Sequence, residues 1–473
     1  MQEYKFKIKG NEVESNEVVE VKKTYNSENM GLVHRCNESH IEKIISSSLE
    51  AFDMTKKHPA YKRSEVLLKI AELLKLKKFE FANMMIDEVG KPRKLAEIEV
   101  DRAIDTFRIA SEEVMRMYGE IIPLDTSPAT EKRTGLTKRF PIGICLGITP
   151  YNFPLNLVAH KLAPCIAVGN TMLLRPSSEC PITSIMLGEV CSEAGLLEGA
   201  LTVIPSRTDV AEKFVRDDRI KKISFTGSAN VGWRLKSLCG KKRITLELGG
   251  NAAAIVDEDA DLEFAVPRLA VGSFAYSGQV CISVQRIFIH ENIFEKFTSD
   301  FLNYVKTSVK WGNPEDEDVL VGPMINSKET QRVKSWLHDA VDNGAEVLCG
   351  NEFQGNIIKP TVLTNVRPDL DISCNEAFAP VVILSRFKDF NDALFMVNDS
   401  VYGLQAGVFT RDIKKIFKAY EELDVGGVII NDYPTFRIDQ MPYGGVKDSG
   451  FGREGIRFAM EEMTELKLLA LNL

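Results

Sequence analysis

The residues best suited to chemistry are a thiol, a carboxylate and a glycine-rich turn. Cys281 follows SFAYSGQV, so small and polar residues surround it at the end of a helical stretch. A free cysteine there is either core filling or a nucleophile, and ionisation and access separate the two. Cys145, Cys165, Cys191 and Cys349, in ICLG, APCIA, GEVCS and EVLCG, read as inert buried thiols. Glu247 lies in LELGG between Leu246 and Leu248, at the carboxyl end of a strand and just before two glycines. It is either an exposed strand-end charge or a base whose pKa is raised by apolar neighbours. SFTGSANVG places Gly227, Ser228 and Gly232 at a strand-to-helix junction, where backbone N–H groups and the helix dipole attract phosphate. It is not a Walker loop, because Trp233 and Arg234 stand where Lys and Ser/Thr are needed, and no GxGxxG follows the first strand of the unit.

These groups need elements to hold them. Ile41, Ile44, Ile45, Leu49 and Phe52 recur at helical spacing; a second helical pattern runs over 62–89 and stops at Gly90. A third helix runs from about Lys94 to Tyr118 and ends at Gly119. After the polar stretch TSPATEKRTG, strands MLLR (172–175), LTVI (201–204), KISF (222–225) and ITLEL (244–248) alternate with helices over 182–194, 209–215 and 229–238. That alternation implies a parallel sheet covered by helices on both faces, which binds ligands at the carboxyl ends of its strands. A second alternating region follows Gly249 and Gly250, a plausible hinge: AAAIV, a helix ending near Gly278, RIFIH, AGVF and GGVII. ELKLLALNL reads as a closing strand. Exposed on a monomer it would invite aggregation, so it is expected to pair across a subunit interface.

Composition excludes several classes. A chain of 473 residues has room for two or three domains with large cores. Lys plus Arg number 59 against 67 Asp plus Glu, a net charge of -8, so there is no basic footprint for nucleic acid. Hydrophobic content of 44% with 27% charged residues fits a globular enzyme rather than disorder. The nine cysteines are scattered without a CxxC pair, which points to a reducing cytoplasm and to no zinc or other metal site. MQEYKFKIKGNEVES has no apolar core, so it reads as neither signal nor transit peptide. Pro141 to His160 lacks charged residues and is long enough to span a bilayer. Its three prolines, Asn152 and Asn156 would leave broken polar backbone in lipid, so it reads as buried loop and strand, with no membrane partner.

ITPYNFPLN, SFTGS, LELGG, GQVC, EAFAP and MPYGGVKDSGFGREG stand in the order and at the separations of the aldehyde dehydrogenase superfamily, which the chain resembles over essentially its whole length. The resemblance implies an α/β fold in three parts. These are a parallel-sheet, Rossmann-like cofactor domain (1–122 and 142–249), an α/β catalytic domain (250–448) and a β oligomerisation arm (123–141 and 462–473) of a homodimer or homotetramer. It also implies NAD(P)-dependent oxidation of an aldehyde to its carboxylate. Carried onto this chain, Cys281 matches the nucleophile that forms a thiohemiacetal. The Asn152 amide and the Cys281 N–H match the oxyanion donors, where losing one costs about 3 kcal/mol of barrier. Glu247 matches the base that activates water against the thioester. Lys161 matches a lysine assisting proton movement, or is a solvated helix residue. Relatives that pass the acyl group to coenzyme A commonly lack the glutamate, so free acid is the expected product.

The resemblance also assigns cofactor positions: Thr149, Pro150, Arg175, Ser178, Gly227, Ser228, Gly232, Leu248, and Glu376 and Phe378 for the nicotinamide ribose and ring. Where the family often has Lys-Pro-Ser/Ala-Glu, this chain reads Arg175, Pro176, Ser177, Ser178. The family glutamate repels a 2′-phosphate by roughly 3 kcal/mol at ~5 Å and an effective dielectric of ~20. Ser178 removes that repulsion and Arg175 supplies a planar cation, so NADP is expected to be preferred, with NAD possible and Arg207 a further phosphate partner. The alternative is that Arg175 pairs with an acid such as Glu179. Asn251 to Ala253 depart from the usual Lys-x-Pro.

By the same resemblance, the substrate pocket draws on His160, Val280, Ile282, Ser283, Phe436 and Arg437, with Arg108 either a substrate contact or a solvated helix residue. TFRIASEE, QVCIS and NDYPTFRIDQMPYGG are similar to the subgroup containing lactaldehyde dehydrogenases, whose relatives oxidise phosphonoacetaldehyde or glyceraldehyde 3-phosphate. The expected substrate is therefore a small 2-hydroxyaldehyde such as lactaldehyde. Short anionic aldehydes, including succinate semialdehyde, come second, and a binding protein that kept the fold without catalysis is the other class.

Overall fold

Strand periodicity sorts the apolar residues of this chain onto two faces of a sheet. In the computed structural model, which describes residues 2–472, Ile144, Leu146, Ile148 and Leu173 face one core, while Cys145, Met172 and Leu174 face another. The sheet has six strands in the order Leu201–Val203, Thr171–Arg175, Ile144–Ile148, Ile220–Thr226, Arg243–Glu247 and Gly450–Phe451. The first five pair in parallel, and Gly450–Phe451 adds antiparallel, with Glu247 opposite Gly450. A second sheet of seven strands runs Glu346–Cys349, Thr361–Thr364, Val381–Phe387, Val284–His290, Ala252–Val256, Gln405–Phe409 and Gly427–Ile430; it is parallel except for the first pair. Mixed α/β architecture with parallel sheets is as the sequence pattern requires. The terminal strand Thr464–Asn472 pairs antiparallel along all nine of its residues with Arg133–Pro141, next to Ile121–Pro123.

Several local expectations change. The pattern over 62–89 is two helices, Ala60–Leu76 and Lys78–Val89, broken at Lys77 with no glycine or proline to mark it. Gly90 does end the second one, in a left-handed cap at φ 62. The following helix, Arg93–Glu113, stops short of Gly119, which serves another purpose: a Cβ there would lie 1.8 Å from the Thr137 carbonyl oxygen. The charge-free stretch is a strand over Ile144–Ile148 and then loop, but residues 156–160 are helical, opening the helix Asn156–Val168. All thirteen residues of that helix are buried, so no amphipathic period betrays it. Among the described residues no helix is long and apolar enough to cross a membrane.

Candidate active site

A cleft of about 610 Å³ opens at the carboxyl ends of the parallel strands, and Asn152, Thr226, Cys281, Glu376 and Phe378 reach its wall. Asn152 stands on the loop after Ile144–Ile148, and a buried ion pair fixes that loop. Lys91 Nζ donates to the Asn152 carbonyl at 2.7 Å and pairs with Glu99, whose other oxygen accepts from the backbone N–H groups of Leu155 (2.9 Å) and Asn156 (3.0 Å). The Lys91 ammonium also lies over the rings of Phe153 and Tyr276. Asn152 Nδ2 donates to the Gln279 carbonyl at 3.0 Å, which ties the amide to the turn carrying Cys281. That turn holds Tyr276 and Ser277 at φ 53 and 58, a left-handed pair that non-glycine residues adopt only when their surroundings impose it.

The Cys281 sulfur lies 3.1 Å from the Tyr443 hydroxyl. Glu247 ends its strand buried, and among the described residues neither carboxyl oxygen has a hydrogen-bond partner. Lys161 is buried rather than solvated. Its ammonium donates to Glu454 (2.7 Å), Thr226 (2.7 Å) and Ser224 (3.2 Å). A polar chain continues from there: Arg437 donates to Glu454 at 3.0 Å and to His160 Nδ1, His160 Nε2 lies 2.6 Å from Asp439, and Arg102 donates to Asp439 at 2.9 Å. Because His160 Nδ1 faces a guanidinium N–H, it must accept, which puts the ring proton on Nε2 toward Asp439.

The cleft also runs along the strand-to-helix junction, where Pro150, Gly227, Ser228 and Leu248 line it. Ser228 caps the helix Ala229–Leu238 without a side-chain bond, leaving the first-turn amides open to phosphate. Gly249 is needed for proximity, since a Cβ would lie 2.5 Å from the Glu376 carboxylate, which accepts from the Gly250 N–H at 3.0 Å. Phe378 meets Tyr151 edge to face at 6.1 Å. Thr149, Arg175 and Gly232 frame this wall from behind: the Thr149 N–H donates to the Arg175 carbonyl at 3.1 Å, and Gly232 packs on Leu248. Arg175 does not pair with Glu179; it donates to Ser178 and the Ser206 carbonyl, both at 3.3 Å, and its Nε is buried without a partner. The first-turn amides after Ser228, at the cleft wall, fit a dinucleotide phosphate.

The signature of the aldehyde dehydrogenase family matches residues 11–469. This chain belongs to the aldehyde dehydrogenase family. It is 40% identical over 474 residues to 3-sulfolactaldehyde dehydrogenase of Priestia megaterium, covering 100% of this chain and 99% of that one. It is 39% identical over 459 residues to lactaldehyde dehydrogenase of Methanococcus aeolicus, covering 96% and 97%. The structure of glyceraldehyde-3-phosphate dehydrogenase GapN from Methanocaldococcus jannaschii, complexed with NADP, is similar with a TM-score of 0.93 at 38% identity, covering 97% of this chain and 100% of that one. The subgroup resemblance holds, and the activity is NAD(P)-dependent aldehyde oxidation.

Electrostatics separate the two glutamates of this aldehyde dehydrogenase. Burial, then the charge of Glu454, pushes the Glu247 carboxyl well above its usual range, against the pull of Arg437, Lys161 and Arg453. Glu454 is buried too, but Lys161 and Arg437 outweigh that and hold it well below the usual range. Burial lifts Glu376 to about 7 and the Cys281 thiol to about 11; Tyr443 and Arg437 pull the thiol down, and Glu376 and Glu247 push it up.

Two sequence expectations need correction, and the other expected pocket residues are placed as follows. Arg108 does not reach the cleft; it lies on the outer face of its helix, paired with Asp105 (3.2 Å) and Glu112 (2.7 Å). Arg207 is held by Asp209 at 2.7 Å rather than poised for phosphate. Val280 and Ile282 pack their side chains into the core, and the Ser283 hydroxyl is spent on the carbonyls of Gly272 and Ser273. Phe436 is partly exposed and holds Gln405 through its carbonyl. Tyr443, Glu454, Asp439 and Arg102 escaped sequence reasoning as individual residues. The first two stand inside the quoted MPYGGVKDSGFGREG, but Lys161 and Glu454 are 293 positions apart, and no spacing rule joins them.

Proposed function

We propose that this aldehyde dehydrogenase oxidises a short 2-hydroxyaldehyde of the lactaldehyde kind to its free carboxylate through Cys281, with NADP preferred over NAD. The observation that carries the hydrolytic reading is Glu247, buried, with both carboxyl oxygens unpartnered among the described residues and its charge acting on the thiol. A buried carboxylate without hydrogen bonds is costly, and a base kept free for a passing proton explains it. The Cys281 thiol gives its proton to Glu247 as the sulfur–carbon bond forms, and the oxyanion accepts from Asn152 Nδ2 and the Cys281 N–H. When bound, NAD(P) supplies the hydride acceptor that converts the thiohemiacetal to a thioester. Glu247 passes that proton on to solvent and, ionised again, takes a proton from water as the water attacks; the carbon–sulfur bond breaks, the Cys281 thiolate is regenerated, and the product leaves as its carboxylate. Lys161 and Glu454 hold the charge balance behind Glu247.

A distal anion on the substrate is the second reading, and the buried polar chain favours it. Lys161, Arg437 and Arg102 set three cations along this chain, against Glu454 and Asp439. A 2-hydroxyaldehyde ending in sulfonate, carboxylate or phosphate would bring an anion to those cations. For the cofactor, the support is the Arg175 guanidinium donating to Ser178, a hydroxyl where the family pattern has a glutamate. On this reading the six-stranded sheet belongs to the cofactor domain, the seven-stranded sheet to the catalytic domain and the antiparallel strands to the arm.

The test is reduced-cofactor formation by the purified protein with lactaldehyde, 3-sulfolactaldehyde and succinate semialdehyde, each with NADP and NAD and without coenzyme A. Turnover that Cys281→Ala abolishes, with cofactor binding retained, is expected; activity that needs coenzyme A would overturn hydrolysis. Faster use of the sulfonate than of lactaldehyde would select the second reading. Ser178→Glu should move the NADP/NAD preference toward NAD by up to about a hundredfold, and an unchanged ratio would remove the assigned contact.

A further inference from the structure

We propose that Tyr443 is a catalytic residue of this enzyme: its hydroxyl donates a hydrogen bond to the Cys281 sulfur and stabilises the thiolate, and Arg437, stacked on the tyrosine ring, strengthens that donor. The inference rests on the reading of Cys281 as the nucleophile. The sulfur is 3.1 Å from Tyr443 Oη, and among the described residues this is the only hydrogen bond that the hydroxyl makes. Tyr443 is 2% exposed, so water does not compete for it. The Arg437 guanidinium carbon lies 3.7 Å from the ring centroid. A cation over the ring face draws electron density from the phenol and leaves its O–H a better donor. The backbone fixes the arrangement, because Tyr443 and Glu454 exchange N–H···O bonds of 3.1 and 2.6 Å, and Glu454 holds Arg437.

The direction of the bond follows from relative acidity. Burial keeps the Tyr443 phenol protonated well past its usual range, so once the thiol ionises the hydroxyl is the donor and the sulfur the acceptor. The proton balance is simple: the thiol proton leaves toward Glu247, the phenol keeps its own, and no covalent bond to Tyr443 forms or breaks. The charged and titratable groups acting on the sulfur are Tyr443 and Arg437, which favour the anion, and Glu376 and Glu247, which oppose it when ionised. Those acting on Tyr443 are Cys281, Arg437 and Glu247.

Tyr443→Phe removes one oxygen and keeps the ring under Arg437, so it isolates the hydrogen bond. The experiment is the pH dependence of iodoacetamide alkylation at Cys281, followed by peptide mass spectrometry on the full-length protein without substrate. The variant's profile should move up by about one pH unit, so that alkylation at a fixed pH below the plateau is about tenfold slower, while NADP affinity stays unchanged. Arg437→Lys, which keeps the charge but loses the planar stack, should move the profile the same way by less. A Tyr443→Phe profile superimposable on that of the wild type overturns the proposal, as does one that moves down. Retained turnover in Cys281→Ala would instead defeat the nucleophile reading, and that result is independent of the alkylation profile.

Discussion

A carboxylate buried without a hydrogen bond costs a folded protein about 1–3 kcal/mol, and Glu247 is such a group. Its folded-state pKa is raised above the ordinary 4.5 by burial and then by Glu454. The sign follows: the stability of the protonated form is complete below the unfolded value and is lost as pH rises through the folded one. Glu247→Gln cannot ionise and escapes that loss. Its melting temperature should therefore gain on the wild type between pH 5 and pH 8 by differential scanning calorimetry, while acyl-enzyme accumulates during turnover because deacylation slows. A gap in melting temperature that stays constant with pH would place the ionisation elsewhere. The identity of Glu247 and its apolar neighbours could be read in LELGG. Whether it was an exposed charge or a buried base could not, because burial depends on residues from 443 to 454 that close over the strand end.

At the scale of elements, the Lys91–Glu99 pair joins the end of one helix, the middle of the next and the loop that presents Asn152. Glu99 also satisfies the N–H groups at the start of Asn156–Val168, as a capping carboxylate does, but from 57 positions away in sequence. Lys91→Met leaves Glu99 buried without its counter-charge and frees the Asn152 carbonyl. We expect a loss of about 3–5 kcal/mol in urea unfolding, with Lys91→Met/Glu99→Gln recovering much of it; a single-variant loss under 1 kcal/mol would show that the clamp is not structural. Most helices and strands were legible from period and punctuation. The break at Lys77 was not, because no helix-breaking residue marks it, and Gly119 looked like a helix stop although its role is close approach to Thr137.

Over the whole molecule, the terminal strand is the feature that a single chain leaves unresolved. Thr464–Asn472 pairs with Arg133–Pro141 within the chain, yet Leu466, Leu468 and Leu469 remain 56%, 52% and 55% exposed. Exposed leucines along a strand invite association, and we propose that a second copy covers them in a closed homo-oligomer. Light scattering after size exclusion should give a whole multiple of the chain mass for the wild type. Leu466→Lys/Leu468→Lys should shift that mass toward the monomer. Monomeric wild-type protein at micromolar concentration would reject the assembly.

The sequence by itself determined the family, the alternation that makes two parallel sheets, the position of the cleft at their strand ends, and the motifs in which Asn152, Glu247 and Cys281 stand. Each is encoded locally, in short motifs and in periods of 2 and 3.6 residues. Only the tertiary structure decided which polar side chains face one another. It enclosed Lys161, joined His160 to Arg437 and Asp439, and left Arg108 in solvent. It also brought the Tyr443 hydroxyl to the thiol across 162 positions of chain. The physical reason is that ionisation, desolvation and hydrogen bonding depend on distances through space, which a linear spacing does not carry.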